Sequence, residues 1–558
     1  MRRTFYRSGL AALLLGVTLL SGPPASAAPG PHVVPIDPAS IDDVNALLKL
    51  YSTKDRAPGL VDDPTANAHC GDAAPDPVPD GQPINVLIPS GPMFTVGAIP
   101  AASWRTTPSA DPTWRLNYLG LMWMKSLARR AAMDNQQQSL ALLVAQAVTF
   151  HTQNPDPGTS LYGWDEGTAL RRLETENCLY ALSKSATLIT GMTADANVLL
   201  GPRYYGPPRF SVHNHGLMSN IQLARAADQI DRPAWKTTAV QRMTSEAPKA
   251  FSRAGISFEQ SAGYQLGNAM LWQQAADLLA ETPGSAGAAA TINQTVVAAY
   301  RAYGWMTEPD GNIVQVGDSS LQAGTPIDLG DSQRILKDDQ TGWIIGRWSW
   351  TDPNTTYYTV RYGPPLYGHG HHDRAGGVNY TVAGVRVLVG PGAYTYDATS
   401  SYALYQKNPQ GQNVAFPAGG KTGNGASTAA SIVRAANHRV TVTDSVYGTP
   451  HVRGVIADRD AHHLIVSDAF SKVASWQQSW HLDPQWKLVS TTSTRLIFSH
   501  PSGRRLTITT TGRLVSVKKA VTRPVAGWNF PHFGVRLGAN EIVIRNYGKA
   551  CTTTFTVN

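Results

Sequence analysis

The hydrophobic pattern of the chain changes character near residue 310. Between about 111 and 305, apolar side chains recur every three or four positions, as in Trp114, Tyr118 and Leu121. This spacing places apolar side chains on one face of a helix. Several such segments follow one another with no strand-like run between them, which predicts an all-α domain. Further helices are predicted over residues 172–190, 216–230, 236–252, 265–281 and 288–303.

Beyond residue 310 the apolar runs become short, rich in β-branched and aromatic residues, and bounded by Gly, Pro and Asp. Runs of this kind predict β-strands. They lie at residues 343–346, 357–360, 385–389 and 464–466. The runs 495–498 and 505–508, separated by Pro501, Ser502 and Gly503, predict a hairpin. The pattern therefore predicts an antiparallel β-domain after the helical one.

The beginning of the chain has the features of a secretory signal over residues 1–27. Arginines at positions 2, 3 and 7 precede an apolar run and a small-residue cleavage site ending at Ala27. No second apolar run approaches the roughly 20 residues needed to span a bilayer. We therefore expect a soluble, secreted protein without a membrane partner. Residues 28–110, rich in Pro and Gly, predict an irregular arm.

Charge and cysteine content restrict the possible partners. The formal net charge is +8, and removing the three signal arginines leaves about +5, a mild excess that suits an anionic ligand. The basic residues form neither a run nor a helical stripe, so no nucleic-acid partner is expected. Cys70, Cys178 and Cys551 include no CxxC pair, which excludes a zinc ribbon or a dithiol redox motif. At most one disulfide can form within the chain.

Two short motifs place polar groups at predicted helix starts. Asn214 and His215 precede an apolar-periodic stretch, so a helix beginning there would hold them where free N–H groups favour a bound anion. An Asn cap beside a surface histidine is the alternative. Tyr264 also stands just before a predicted helix and can direct its hydroxyl into a cleft. A buried tyrosine with a hydrogen-bonded tip is the alternative there.

The segment 368–373 gathers three histidines. His369 and His371, two apart in an extended segment, would face the same side, with His372 opposite. A zinc site is one interpretation, but it needs further ligands from elsewhere in the chain. Imidazole, amide and phenol groups without acidic nucleophiles suit proton abstraction better than hydrolysis.

The order of these motifs resembles that of heparinase II/III-type polysaccharide lyases, alginate-lyase relatives included. The matching stretches are 213–216, 258–264, 368–373 and 384–394. The resemblance covers about residues 111–558 and excludes the N-terminal arm. It implies an α+β multidomain fold, in which an incomplete (α/α) toroid over 111–320 is followed by an antiparallel β-sandwich over 321–558. It also implies that a glycan lies in the cleft between them.

The resemblance assigns catalytic roles in a β-elimination. Asn214 and His215 would neutralise a uronate carboxylate, and Tyr264 would act as base or acid, with His369 and Tyr394 reaching in from the β-domain. Removal of the proton α to that carboxylate builds an enolate-like dianion, which neutral amide and imidazole donors stabilise. A tyrosine needs neighbouring donors or positive charge to act as a base near neutrality.

The resemblance also implies residues that bind substrate. Arg171 would hold a carboxylate through its planar fork, with a structural salt bridge as the alternative. Gln260 would contact the glycan, and His371 would either contact it or pack. The related β-domains often carry a metal, but Gly390 and Gln412 stand at two of the ligand positions. Glycine offers no ligand and an amide is a poor one for zinc, so no metal or other cofactor is expected. Gln265 also replaces the usual histidine after the tyrosine.

Two other functions remain open from the sequence. Toroids of this type also host glycoside hydrolases, which use two carboxylates, and Asp165, Glu166, Glu259 and Asp318 are available. The 14 Trp residues could instead serve a non-catalytic carbohydrate-binding protein. The product distinguishes these functions, because a lyase generates an unsaturated uronate that absorbs ultraviolet light, whereas a hydrolase consumes water. The sequence leaves the identity of the uronate polymer open.

Overall fold

A computed structural model of the protein describes most of the chain beyond residue 69. The described residues are 34–35, 69–88, 92–96, 104–158, 162–202, 205, 214–325, 327–364, 366, 368–418, 425–473 and 475–558. The predicted signal over 1–27 lies outside them. The described residues of 50–250 and 271–293 form one compact unit, and those of 16–49, 251–270 and 294–558 form a second.

Helices dominate the first part of the chain, as the apolar spacing predicts. Helix α1 shows how the sequence begins one: Asp111 Oδ1 accepts from the backbone N–H of Trp114 at 2.7 Å, and Pro112 occupies the first turn. The helices are α1 Pro112–Leu119, α2 Trp123–Met133, α3 Gln137–Gln153, α4 Glu166–Ser183, α5 Ile189–Leu200, α6 Asn214–Gln229, α7 Pro233–Ala250, α8 Ala262–Ala280, α9 Ala286–Trp305 and α10 Ser401–Lys407. Short 3-10 turns lie at Ala186–Leu188 and Pro409–Gly411. None of the helices that the structure describes is long and apolar enough to cross a bilayer.

Most of the strands follow the helices and pair antiparallel, which confirms an α+β chain. The strands are β1 Val34–Pro35, β2 Ile84–Leu87, β3 Met93–Val96, β4 Ile327–Asp328, β5 Ile335–Asp338, β6 Trp343–Arg347, β7 Tyr357–Arg361, β8 Gly377–Val382, β9 Val385–Leu388, β10 Ala415–Pro417, β11 Ser427–Val433, β12 Asn437–Asp444, β13 His451–Asp458, β14 His463–Phe470, β15 Trp476–His481, β16 Lys487–Thr491, β17 Arg495–Ser499, β18 Arg505–Thr510, β19 Arg513–Lys518, β20 Val521–Thr522, β21 Val525–Ala526, β22 Trp528–Asn529, β23 Leu537–Gly538, β24 Glu541–Asn546 and β25 Ala550–Val557. Strands β1, β2 and β3 precede helix α1, and β1 pairs with β4 in parallel.

Three of the sheets share one hydrophobic core. Their strand orders are β5-β6-β7-β8-β9, β10-β15-β24-β19 and β11-β12-β13-β14-β25-β18-β17-β16. Tyr358, Trp480 and Phe555, one from each sheet, are all fully buried in that core. The predicted hairpin is confirmed, since β17 pairs with β18 and Gly503 takes a positive φ in the turn.

The five-stranded sheet is buried on both faces, unlike the half-exposed strands of the eight-stranded sheet. Strands β6, β7 and β8 are buried along their whole length, whereas β12 alternates. The second face is covered by the stretch that follows α9: Tyr357 Oη donates to the carbonyl of Trp305 at 3.1 Å, and Thr381 Oγ1 donates to Glu308 at 2.5 Å. The compact unit that contains the sheets therefore begins earlier in the chain than the sequence-based boundary at 320.

The predicted N-terminal arm contains a small element of regular structure. Strands β2 and β3 pair in an antiparallel hairpin, and a disulfide joins Cys70 to Cys178 in α4. Cys551 is a buried free thiol.

The disulfide should contribute substantially to stability because it closes a long loop. The two cysteines are 108 residues apart, and loss of such a crosslink typically costs about 2 to 5 kcal/mol of unfolding free energy. Guanidinium unfolding of a C70S/C178S variant should show a loss of this size, and reductant should lower the wild-type midpoint correspondingly. C551S is the matched control and should keep the response to reductant. An unchanged midpoint in C70S/C178S would contradict the expectation.

Candidate functional site

The helix that carries Tyr264 is anchored at its start by a neighbouring loop. Helix α8 begins at Ala262, whose backbone N–H donates to the carbonyl of Val316 at 3.2 Å. The next N–H, of Gly263, donates to Ser319 Oγ at 2.9 Å. The first N–H groups of a helix have no partner within it, so the loop satisfies two of them. Tyr264 therefore stands on a firmly held first turn.

Asp318, in the same loop, lies between two histidines. Its carboxylate is fully buried, with Oδ2 3.0 Å from His369 Nδ1 and Oδ1 2.8 Å from His371 Nε2. Its backbone N–H also donates to the carbonyl of His369 at 2.9 Å. Burial disfavours ionisation of Asp318, but the hydrogen bonds from the two imidazoles outweigh it and hold the pKa of the carboxyl well below its usual range. Asp318 is thus an ionised acceptor.

This pattern determines which imidazole nitrogens carry hydrogen. An ionised carboxylate only accepts hydrogen bonds, so His369 Nδ1 and His371 Nε2 are both donors. The other nitrogen of His371, Nδ1, faces the amide donor Gln412 Nε2 at 3.3 Å and is therefore an acceptor. The other nitrogen of His369, Nε2, lies 3.8 Å from Glu259 Oε2.

Tyr264 joins this group through its ring and its hydroxyl. Its ring stacks on that of His369 with centroids 3.6 Å apart and planes inclined by 16°. Its Oη lies 3.0 Å from the Oη of Tyr396. Burial, the charge of Asp318 and the neighbouring phenol raise the pKa of Tyr396 well above its ordinary value, so Tyr396 keeps its proton. Tyr264, Tyr396, His369, Asp318 and His371 form one connected set, called here the Tyr264 cluster.

Tyr394, predicted to reach the site, is placed differently. Its backbone N–H donates to Gln406 Oε1 at 2.7 Å, and its ring packs against Phe530 and Tyr402, each with centroids 5.2 Å away. The structure brings Tyr396, two residues further on, to the Tyr264 hydroxyl. Residues two apart in an extended segment share a side, so the sequence pattern could not distinguish the two tyrosines.

Gln260 and His371, both predicted to bind substrate, are held by hydrogen bonds within the fold. Gln260 Nε2 donates to the carbonyls of Thr341 at 2.9 Å and Pro364 at 3.1 Å. Its Oε1 accepts from the backbone N–H of Leu366 at 3.2 Å. Both amide hydrogens of Gln260 are donated, so its side chain holds the segments at Thr341, Pro364 and Leu366 in place. The His371 side chain is completely buried with both nitrogens hydrogen-bonded, so it is packed within the fold, and its contact with substrate stays a prediction.

Gln265 has a structural role where the related lyases carry a histidine. Its Oε1 accepts from the backbone N–H of Ser257 at 2.8 Å, and its Nε2 donates to the carbonyls of Gly255 at 2.7 Å and Ala299 at 2.9 Å. The side chain is fully buried. Gln265 therefore ties the start of α8 to the preceding turn and to helix α9.

The residues around Gly390 do not fit a metal of the kind found in related β-domains. A Cβ built on Gly390 would come within 1.9 Å of the carbonyl oxygen of Gln315, so the backbone leaves no room for an aspartate. Gln412 turns its amide nitrogen towards His371 and also donates to the carbonyl of Gln406 at 2.6 Å. The cavity beside Gly390 and Gln412 holds about 10 Å³, room for about one water. The donor set there is that of a hydrogen-bond network.

Asn214 and His215 belong to the first compact unit and lie in the first turn of α6. Both are buried, and Ser219 Oγ donates to the carbonyl of His215 at 2.9 Å. Among the residues that the structure describes, no donor reaches Asn214 Oδ1. Their predicted helix-start position is confirmed, and their catalytic role stays a prediction. His213 lies outside the described residues.

Arg171, in the same unit, takes part in an ion pair. Its NH1 donates to Glu174 Oε2 at 2.7 Å, and Lys125 Nζ reaches the other oxygen at 2.5 Å. Burial opposes ionisation of Glu174, but the two cations outweigh it and lower the pKa of the carboxyl to about 2. The salt bridge considered for Arg171 is present, and its contact with substrate stays a prediction.

Sequence reasoning missed the roles of Asp318 and Tyr396. Asp318 appeared only as a candidate carboxylate for a hydrolase, because its two histidine partners lie about 50 residues away in the chain. The separation between Tyr264 and Tyr396 is 132 residues. Local spacing in the sequence does not indicate contacts between residues so far apart in the chain.

Solved structures share the architecture of this chain. A crystal structure of heparinase III aligns with a TM-score of 0.71 at 15% sequence identity, covering 92% of this chain and 89% of that one. The chain has the heparinase III fold. A heparan sulfate lyase mutant from Pedobacter heparinus aligns with a TM-score of 0.63 at 16% identity, over 92% and 88% of the two chains.

A chondroitinase AC lyase, known from enzyme–oligosaccharide complexes, is more distant. It aligns with a TM-score of 0.51 at 10% identity, over 82% of this chain and 78% of that one. No family model matches the sequence, and no curated protein matches it significantly. At these identities the likeness is one of fold, so the activity must be argued from the site.

Proposed function

We propose that the protein is a secreted polysaccharide lyase that cleaves a uronate-containing, anionic polysaccharide by β-elimination. The observation that carries the proposal is the Tyr264 cluster, in which a half-buried phenol is stacked on an imidazole fixed by a buried carboxylate. The shared fold with heparinase III adds support. The proposal includes the finer architecture, in which the helices form an incomplete (α/α) toroid and the sheets a β-sandwich.

The reaction asks for one group to take a proton and one to give a proton. The C5 proton of the uronate, α to its carboxylate, leaves; the electron pair forms the C4–C5 double bond; and the C4–O bond to the neighbouring sugar breaks. The leaving oxygen takes a proton, so no water is consumed. Tyr264 is suited to both transfers, since a phenolate that takes the C5 proton in one step becomes the phenol that gives a proton to the leaving oxygen in the next.

Tyr396 is placed to stabilise the charged form of Tyr264. It keeps its own proton and can donate to the Tyr264 oxygen, which stabilises a phenolate by hydrogen bonding. The imidazole of His369 packs against the face of the Tyr264 ring, with the ring centroids 3.6 Å apart. Tyr264 is proposed as the catalytic residue, and Tyr396 as the group that stabilises its charge. His369, Asp318 and His371 are positioning residues.

Neutralisation of the uronate carboxylate is assigned to Asn214 and His215, as the resemblance to the lyases implies. Both lie at the start of α6, where backbone N–H groups and the helix dipole favour an anion. The amide NH₂ of Asn214 is the group that can donate to that carboxylate. N214A is therefore expected to raise KM and lower kcat, which steady-state kinetics would separate.

Hydrolysis by a carboxylate pair fits the site less well. A glycosidase needs a carboxylic acid whose pKa is raised, so that it can protonate the leaving oxygen. The pKa of Asp318 is instead held well below its ordinary value, and each of its oxygens accepts a hydrogen bond from a histidine. Asp318 therefore cannot supply that proton.

The test is an assay of the purified chain on a panel of uronate polymers that includes alginate, heparan sulfate and chondroitin sulfate. Each cleavage by a lyase gives one new reducing end and one new non-reducing end that carries an unsaturated uronate. The unsaturated uronate absorbs ultraviolet light, so the absorbance and the number of reducing ends rise together. Reducing ends without absorbance would indicate hydrolysis and overturn the proposal. Binding to a polymer without either product would indicate a carbohydrate-binding protein and would also overturn it.

A further inference from the structure

A second group of ionisable side chains lies inside the helical unit, on three consecutive helices. His151 is on α3, Glu176 on α4 and Asp195 on α5. His151 Nε2 lies 2.7 Å from Glu176 Oε1 and 3.6 Å from Asp195 Oδ2. One ligand atom from each residue falls within 4.8 Å of the other two. The three ligand atoms are therefore close enough together to bind one metal ion.

The surroundings of this group leave it incompletely neutralised. Arg172 binds both oxygens of Asp195, with Nε 2.8 Å from Oδ2, and is itself fully buried. Glu176 is also fully buried, and among the described residues no donor reaches its Oε2. One arginine thus faces two buried carboxylates. Burying an unpaired carboxylate is costly, so Glu176 must either hold a proton or bind a further cation.

A cavity of about 200 Å³ opens beside the group. His151, Glu176 and Gly191 line it, together with apolar and threonine side chains. A larger residue at Gly191 would fill the space beside the donors, because a Cβ there would come within 2.5 Å of His151 Cδ2 and 2.7 Å of Glu176 Oε1. A metal ion bound to the three donors would therefore have room in the cavity for its remaining ligands.

We propose that His151, Glu176 and Asp195 bind a divalent cation of the zinc class. A tetrahedral zinc with bonds of about 2.0 to 2.1 Å has donors about 3.3 Å apart, and the two distances from His151 Nε2, 2.7 and 3.6 Å, bracket that value. An imidazole donor favours zinc, cobalt or nickel over calcium or magnesium. Each Asp195 oxygen keeps a second lone pair beyond the one that Arg172 uses. The cavity lined by His151 and Glu176 leaves room for a fourth ligand.

Zinc binding by the full, tag-free chain tests this site. After treatment with EDTA and exchange into clean buffer, the protein is expected to retain one equivalent of added Zn²⁺ through gel filtration. E176Q and H151Q should each lose that equivalent or bind it at least tenfold more weakly. E174Q is the matched control, since Glu174 is an ion-paired glutamate on the same helix, and it should retain the metal.

Two results would overturn the site. One is a wild-type chain that takes up no zinc and leaves the spectrum of added Co²⁺ unchanged from that of the hydrated ion. The other is one equivalent of zinc bound undiminished by a folded H151Q/E176Q double variant. The Co²⁺ spectrum is read on the unmodified chain, so it decides the question even where a variant fails to fold. Neither measurement depends on lyase activity, so this site and the proposed function stand or fall separately.

Discussion

Replacing Tyr264 by phenylalanine is expected to lower kcat for uronate elimination about 10³-fold with little change in KM, since a positioned acid or base typically contributes 10² to 10⁴. The substitution removes only the hydroxyl, and the ring stacked on His369 is kept. The measurement is the initial rate of ultraviolet absorbance on whichever polymer the wild type cleaves. Thermal unfolding of the variant should stay close to that of the wild type.

Three further tyrosine variants make this test specific. Y396F should lower kcat by a smaller factor of about 10, because it removes one hydrogen bond to the Tyr264 oxygen. Y402F is the control, since that ring packs beside Tyr394 and Phe530. Y394F discriminates between the sequence-based and structure-based assignments. Turnover abolished by Y394F and kept by Y264F would reverse the assignment proposed here.

Replacing Asp318 by asparagine should have the second-largest effect, with kcat lowered about 10² to 10³-fold. An asparagine offers one accepting oxygen and one NH₂ group, whereas both facing nitrogens, His369 Nδ1 and His371 Nε2, are donors. One imidazole must change its tautomer or turn away, so the arrangement of His369 against Tyr264 is disturbed. The pH dependence of kcat should shift as well, which a loss of stability alone would not cause.

A matched control exists elsewhere in the same unit. Asp444 is a buried carboxylate hydrogen-bonded to His451 at 2.6 Å on the eight-stranded sheet. D444N should lower stability but leave the pH profile of the folded enzyme unchanged. An unaltered profile in D318N, or the same altered profile in D444N, would contradict the positioning role of Asp318.

Asp318 should also make the free energy of unfolding depend on pH in the acidic range. Its folded-state pKa lies below the ordinary 3.8, so the unfolded chain takes up the proton first as the pH falls. The stability contributed by Asp318 is therefore fully present above about pH 4 and is lost as the pH drops towards the folded-state value. Denaturant unfolding measured between about pH 5 and 3 should show a shallower decline for D318N than for the wild type. Equal slopes would contradict the expectation.

The sequence by itself determined the succession of elements and several of the site residues. Helical spacing before residue 310 and short β-branched runs after it follow from the periods of the two structures, 3.6 and 2 residues, so they are visible locally. The starts of α6 and α8 were approximated, because helix starts carry local signals: the predicted starts at 216 and 265 lie close to Asn214 and Ala262. Motif order along the chain supplied Tyr264 and His369.

The tertiary structure alone decided how those residues work. It joined Tyr264 to Tyr396 and His369 to Asp318, and it buried His371 and Gln260 behind hydrogen bonds. Contacts of this kind join residues 50 to 130 positions apart in the chain. No periodic pattern encodes them, since they arise from the packing of a loop against a helix start and a sheet. The protonation states of the site follow from that packing, because burial and hydrogen bonding set each pKa.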